Sequence, residues 1–185
     1  MPLLEGGNIA NVEMVQATWG TGQDAVTKSF KTASQVTFTP AVSQGQEKEQ
    51  RIKNTLMGLI KTEDLNKGYD IELSDQRLIM DMFALIDGGT ATGAGDAWTK
   101  YEGPTSGSPV SRTAFTLIVY SSDRDTDGNA NNYYKWSFPN CKGKPVGAGA
   151  TDDDFYTIRY TIESRPATGV SALTIDKVTA LPTIS

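Results

Sequence analysis

Apolar and polar residues alternate along much of the chain, and this period of two predicts β-strands. Residues 155–163 (FYTIRYTIE) show it most clearly, because Tyr156, Ile158, Tyr160 and Ile162 fall on one face and mostly polar residues fall on the other. That pattern is typical of a half-exposed strand. Further strands are predicted at residues 9–19, 26–30, 35–39, 69–73 and 173–178.

Two apolar segments on either side of an acidic loop predict a β-hairpin. Residues 112–121 (RTAFTLIVYS) are apolar on both faces at their centre, as in a strand that is covered on both sides. Residues 133–138 (YYKWSF) form a matching aromatic strand. Because the connections between strands are short and rich in glycine and proline, the sheet is expected to be mainly antiparallel.

One helix is predicted after residue 74, packing one face on the sheet. Ser74 can act as its N-cap, and Gly88 with Gly89 would end it. The apolar positions that recur at helical spacing are Leu78, Ile79, Met82, Leu85 and Ile86.

The segment 44–67 (QGQEKEQRIKNTLMGLIKTEDLNK) is dense in charge and allows two interpretations. Its apolar residues Ile52, Leu56, Leu59 and Ile60 have the spacing of an amphipathic surface helix, which Gly58 would interrupt. Alternatively, the segment is a long excursion between early strands that becomes ordered only against a partner.

Composition narrows the possible functions. The 185 residues suit one domain, 1–185, and the absence of histidine together with a single cysteine excludes Ser-His-Asp triads, Cys-His dyads and the usual zinc spacings. We therefore do not expect an enzyme. The formal charge of −5 argues against a protein that grips nucleic-acid phosphates.

The expected compartment is a cytoplasm. The first residues (MPLLEGGNIANVE) lack a signal-peptide pattern, and no apolar run approaches the roughly 20 residues needed to span a bilayer. The lone Cys141 fits a reducing compartment and is expected to be an inert loop thiol.

Residues 123–134 (DRDTDGNANNYY) resemble the first half of a calcium-binding loop. Asp123, Asp125 and Asp127 would fill positions 1, 3 and 5, but Tyr134 stands where the bidentate glutamate is required. A plain hairpin turn explains the same composition, because Asp, Asn and Gly suit turns. We assign no metal ligand here, and whether the three aspartates bind a cation stays open.

Three further motifs are interpreted as loops. The acidic run Asp152–Asp154 lacks the separated carboxylate pair that glycosidase chemistry needs. Gly93-Ala-Gly95 lacks the third glycine of a dinucleotide site, and Lys142-Gly-Lys144 is followed by proline where a phosphate loop needs Ser or Thr. No catalytic residue, cofactor-binding residue, metal ligand or cofactor is therefore assigned.

The order of elements resembles that of the bacteriophage tail tube (major tail) proteins, including the tubes of phage-tail-like particles. A strand ending in VTFTP is followed by the charged excursion, by DIELS at residues 70–74 and by a helix ending in FALIDGGT at residues 83–90. A loop rich in glycine and proline then leads to RTAFTLIVYS. The resemblance covers most of the chain.

This resemblance implies a fold, an assembly and partners. Two packed antiparallel sheets, sandwich-like or barrel-like and flanked by one α-helix, would form a subunit. Six subunits would close into a ring, and stacked rings would form a hollow tube that passes phage DNA without binding it specifically. Partners would be copies of the chain and other tail proteins, with no membrane, and the protein would be made in the host cytoplasm and reside in the virion tail.

Two alternatives remain open. One is another virion component, such as a tail terminator or a head-decoration protein. The other is a calcium-dependent carbohydrate-binding β-sandwich, for which a sugar platform would come from Trp19, Trp98, Tyr101, Tyr133, Tyr134 and Trp136.

Overall fold

The computed structural model describes residues 8–93, 97–124, 127–153 and 155–183, apart from the side chains of Asn8 and Asn131. Within these ranges the strands and the helix have the following bounds: β1 (Asn8–Trp19), β2 (Val26–Phe30), β3 (Ala33–Ser43), β4 (Glu47–Ile52), β5 (Thr55–Lys61), β6 (Leu65–Asp75), α1 (Met80–Asp87), β7 (Thr90–Thr92), β8 (Lys100–Glu102), β9 (Phe115–Arg124), β10 (Ala130–Gly143), β11 (Gly147–Gly149), β12 (Thr157–Ser164) and β13 (Thr174–Val178).

The predicted mainly β, antiparallel architecture is confirmed. The large sheet has the order β2-β1-β9-β10-β12-β6-β3, with β11 added to β12 and β13 added to β10. Every pairing in it is antiparallel, and β9 and β10 form the hairpin predicted around the acidic loop. Among the described residues the sheet is not closed into a barrel, so β2 and β3 are its two ends.

Both halves of the sheet contribute to one hydrophobic core. Val15 and Leu117 come from the β1–β9 half, and Ile71 and Ile162 come from the β6–β12 half, yet all four belong to one buried cluster. The sheet must therefore fold over on itself, and the two packed layers are halves of one continuous sheet. Burial of such side chains is the main stabilising contribution to a fold of this kind.

Strand β10 passes from one layer to the other at a bulge. Its residues 133–137 pair with β13, whereas residues 141–143 pair with β12. The register shifts between Phe138 and Cys141, and Asn140 adopts a φ of 49° within the shift. The Ser164 hydroxyl donates to the carbonyl oxygen of Pro139 at 2.7 Å and fixes the bulge to the neighbouring strand.

The helix begins later than the sequence predicts. Ser74 is not its N-cap but a residue of β6, where it pairs with Gln35, and the cap position is Ile79, whose side chain makes no capping hydrogen bond. The buried Asp75 side chain explains the difference, because it accepts a hydrogen bond from the Arg77 amide at 2.9 Å and forms a turn before the helix. The predicted end is confirmed, since Gly88 has a φ of 87°.

The alternation predicted for residues 155–163 is confirmed over the part that lies in β12. Ile158, Tyr160 and Ile162 are buried, as is Ser164. Tyr156 departs from the pattern, because it precedes the strand and is exposed.

Candidate assembly surface

A two-stranded arm leaves the large sheet where the sequence has its charged excursion. We define the arm as residues 47–61, which comprise β4, β5 and the turn at Lys53 and Asn54. The segment is a β-hairpin, so the amphipathic-helix interpretation is wrong. At about 3.3 Å per residue, each strand of the arm extends for about 20 Å.

Long-range pairing explains why this segment forms strands. The β3–β6 ladder continues out to Ser43 and Leu65, which brings the two ends of the segment together. The Thr62 amide then donates to the Gln46 carbonyl at 2.9 Å, and the β4–β5 ladder begins directly beyond this hydrogen bond. A helix would lose this continuous ladder and would also place Gly58 in its interior.

The arm presents apolar side chains to solvent. Every residue of β4 is exposed, and every residue of β5 is exposed except the half-buried Gly58. The large apolar side chains of the arm, each more than half exposed, are Ile52, Leu56, Met57, Leu59 and Ile60. An apolar surface of this extent on a projecting element is characteristic of a contact with another molecule.

In the large sheet below the arm, β6 makes a close backbone approach to the end of β12. Gly68 has a φ of 129°, and a Cβ atom placed there would lie 2.0 Å from the carbonyl oxygen of Ser164. The Arg165 guanidinium reinforces the contact, because it donates to the Tyr69 carbonyl at 2.9 Å and lies 2.5 Å from the Asp70 carboxylate. These contacts hold β6 to the end of β12 in the part of the sheet from which the arm extends.

The structure gives the acidic loop a partner other than a metal. Asp123 is buried, and its carboxylate lies 3.4 Å from the Lys177 ammonium and accepts a 3.4 Å hydrogen bond from the Tyr134 hydroxyl. Asp127 is exposed on the loop, and Asp125 lies outside the described residues. In the parts of the chain that the structure describes, no three His, Cys, Asp or Glu side chains are grouped as metal ligands.

Residues of the Lys142-Gly-Lys144 motif and Cys141 have structural roles in strand β10. A Cβ atom at Gly143 would lie 2.1 Å from the carbonyl oxygen of Ile86, so the glycine lets β10 touch the end of α1. Cys141 is a buried residue of β10 and not a loop thiol as predicted, and burial raises its pKa to about 11. A thiol with that pKa is a poor nucleophile.

The aromatic residues considered as a sugar platform have separate environments. Trp19 and Trp136 pack against the hydrophobic core. The Tyr101 ring packs edge-on against Phe83, with the ring centroids 5.0 Å apart. Trp98 is partly exposed in the connection between β7 and β8. Trp19, Trp136 and Tyr101 are therefore packed against other side chains of the protein.

The sequence interpretation missed a polar cluster at the end of α1. The Asp87 carboxylate accepts hydrogen bonds from the Tyr101 hydroxyl and, at 3.1 Å, from the Val146 amide. Arg112 Nε donates to the carbonyl oxygens of Ile86 and Asp87, both at 3.1 Å. Burial, followed by the hydrogen bond to Asp87 and its charge, raises the pKa of Tyr101 above its usual value. The cluster joins four segments that are separated in sequence, and no local sequence pattern predicts it.

No helix in the described part of the chain is long and apolar enough to cross a bilayer. No model of a known protein family matches the sequence, and no curated protein matches it.

Two of the solved structures that match this chain align with it over most of their length. One is the sheath-tube complex of an extracellular contractile injection system (PVC) in its extended state, with 11% identity, a TM-score of 0.47 and coverage of 91% of this chain and 92% of that chain. The other is the 6-fold symmetrised baseplate of the anti-feeding prophage (AFP), with 9% identity, a TM-score of 0.44 and coverage of 93% of this chain and 97% of that chain. With TM-scores below 0.5, neither similarity establishes a shared fold or function.

Proposed function

We propose that this chain is a structural, non-catalytic subunit of a phage-tail-like particle, and that it assembles into stacked rings that form the hollow tube of the tail. Rings of six subunits are part of the proposal, as is passage of phage DNA through the tube. The element order described for residues 35–121 supports the proposal through its resemblance to tail tube proteins.

The observation that carries the proposal is the exposed apolar arm. Five large apolar side chains on a two-stranded element are costly to leave in water, at roughly 25 cal/mol for each Å² of apolar surface. A contact with a second copy of the chain would remove them from water. The hydrogen bonds between Gln46 and Thr62 at the base of the arm support the same role, because a preformed hairpin lowers the entropic cost of binding.

The open ends of the large sheet also favour assembly. Among the described residues, β2 and β3 each have one neighbour in the sheet, so each has a free edge. Pairing such edges between subunits would continue the sheet around a ring and remove a site of uncontrolled aggregation. The formal charge of −5 is compatible with a lumen that does not retain DNA.

Light scattering over a concentration series tests the proposal, with the arm as the variable. We expect the wild type to form large species as concentration rises. The double variant Leu56→Ser, Ile60→Ser should stay dispersed, because it removes apolar contact area from an exposed element and should leave the fold stable to within about 0.5 kcal/mol.

The matched control is Leu78→Ser, which removes an exposed leucine away from the arm. It should assemble as the wild type does. A wild type that remains monomeric at every concentration, or an arm variant that assembles equally well, would contradict the proposal.

A further inference from the structure

A row of polar side chains crosses the solvent face of β3, β6 and β12. The opposite face of these strands packs into the hydrophobic core through residues such as Leu73 and Tyr160. The strand register places Gln35 beside Ser74, and Ser74 beside Arg159. A cleft of about 310 Å³ lies over this row, and its other lining residues are Ser34, Thr37, Glu72 and Thr157.

A second cleft, of about 490 Å³, joins the first, because Thr157 and Arg159 line both. The second cleft lies over β11, where no heavy atom lies within 4 Å of a Cβ atom placed at Gly147 or Gly149. The side chain of Phe155, which is 80% exposed, also lines it. We call the two joined clefts the sheet groove. Each cleft lies in the range of about 300–1,000 Å³ that is usual for small-molecule sites.

Two charged side chains of the sheet groove have no partner of opposite charge. Further along β12, the Glu163 carboxylate lies 2.6 Å from the Lys144 ammonium. Glu72 and Arg159, in contrast, are exposed and form no ion pair with any residue in the ranges that the structure describes. One carboxylate and one guanidinium are therefore available to a ligand.

The groups in the sheet groove match the chemistry of a sugar. A carboxylate such as that of Glu72 accepts hydrogen bonds from two adjacent hydroxyls, and the Arg159 guanidinium donates to two oxygens. The serine and threonine hydroxyls and the Gln35 amide can both donate and accept, as sugar hydroxyls do. The exposed ring of Phe155 offers an apolar surface to the C–H face of a sugar.

The charge of the sheet groove favours a neutral ligand. Glu72 and Arg159 contribute one charge of each sign, so the lining residues have no net charge. A site for phosphate or another anion would need an excess of cations. None of the lining residues belongs to the aromatic set that the sequence offered as a sugar platform.

We propose that the sheet groove binds a short neutral oligosaccharide. The polar part over β3 and β6 binds the hydroxyls of one sugar ring, and the next ring packs on Phe155. The groove is open to solvent, so the affinity is expected to be weak, with a Kd of about 1 mM. This inference goes beyond the proposed function, since it uses no residue of the arm and a tube can assemble without a ligand.

An NMR titration of the full-length chain tests the inference. The protein is kept dispersed, below the concentration at which it assembles, and is titrated with maltotriose, cellotriose and tri-N-acetylchitotriose as probes. At least one of the three should shift amide signals of β3, β6 and β12 saturably, with a Kd between about 0.1 and 10 mM. Signals of the arm should not move.

Substitutions within the sheet groove locate the site. Glu72→Ala and Phe155→Ser should each weaken binding of that trisaccharide about tenfold or more, because each removes a contact with the ligand. Arg159→Gln is a second variant for the polar part. The controls Glu63→Ala and Ile175→Ser change exposed residues outside the groove and should alter the Kd by less than about twofold.

The outcomes separate this inference from the proposed function. Saturable shifts that the groove variants lose and the control variants keep would support the site. The inference is overturned if none of the three trisaccharides causes a saturable shift up to about 10 mM, ten times the expected Kd. It is also overturned if inorganic phosphate binds more tightly than every trisaccharide, because Arg159 would then hold an anion. Neither result affects the tube, which depends on assembly alone.

Discussion

The Lys177 ammonium lies 3.4 Å from the Asp123 carboxylate, so the first aspartate of the acidic loop already has a cationic partner. The Asp123 side chain is mostly shielded from solvent, and the Tyr134 hydroxyl donates a hydrogen bond to the same carboxylate. A calcium ion at this position would have to displace the ammonium from Asp123.

We therefore predict that the loop functions as a turn. Replacing Asp125 and Asp127 with asparagine should change the free energy of unfolding by no more than about 0.5 kcal/mol, because asparagine also favours turns. Thermal melts in calcium up to several millimolar should show no rise in Tm. A calcium-dependent rise in the wild type that the double variant loses would show that the loop binds the ion.

The second prediction concerns Gly68, where β6 approaches the end of β12. Gly68→Ala should lower the free energy of unfolding by at least about 2 kcal/mol, because the added methyl group would clash with the Ser164 carbonyl at a φ that alanine disfavours. Urea denaturation measures the change.

Gly169→Ala is the matched control for this substitution. Gly169 also has a positive φ, of 86°, but the space around it is open. Gly169→Ala should therefore lower the free energy of unfolding by about 1 kcal/mol, which is the conformational cost alone. Equal effects at the two glycines would mean that the close approach of Gly68 to Ser164 does not matter for stability.

The third prediction uses the raised pKa of Tyr101. Tyr101→Phe should lower the free energy of unfolding by about 1 kcal/mol at neutral pH, because Asp87 loses a hydrogen bond. A folded-state pKa above the unfolded value of about 10 means that the neutral phenol's contribution to stability is complete below pH 10 and is lost as pH rises above it. The difference in unfolding free energy between wild type and variant should therefore shrink above pH 10. A difference in unfolding free energy that stays constant up to pH 12 would contradict the raised pKa of Tyr101.

Sequence reasoning succeeded where the information is local. The alternation of Ile158, Tyr160 and Ile162 identifies β12, since a period of two is a direct consequence of strand geometry. Gly88 marks the helix end for a similar reason, because its positive φ is a local requirement.

The failures involve interactions between distant residues. The arm forms strands because Ser43 and Leu65 are paired at its base, and no window of sequence shows that pairing. The sequence favours Ser74 as the helix N-cap. The turn before the helix is instead made by Asp75, which is buried and accepts a hydrogen bond from the Thr32 hydroxyl, 43 residues earlier.

The fourth prediction concerns the mobility of the arm. Amide hydrogens of residues 47–61 should exchange quickly in the free subunit and slowly in the assembled tube, since the arm is exposed until a neighbour covers it. The central strand β9 is an internal control, which should be protected in both states. Equal protection of the arm in both states would mean that assembly does not cover it.

Electron microscopy of the purified wild-type protein tests the central claim most directly. A subunit with a projecting apolar arm and open sheet edges should appear as rings and as stacked tubes at high protein concentration. Particles that remain dispersed monomers under all conditions would contradict the account.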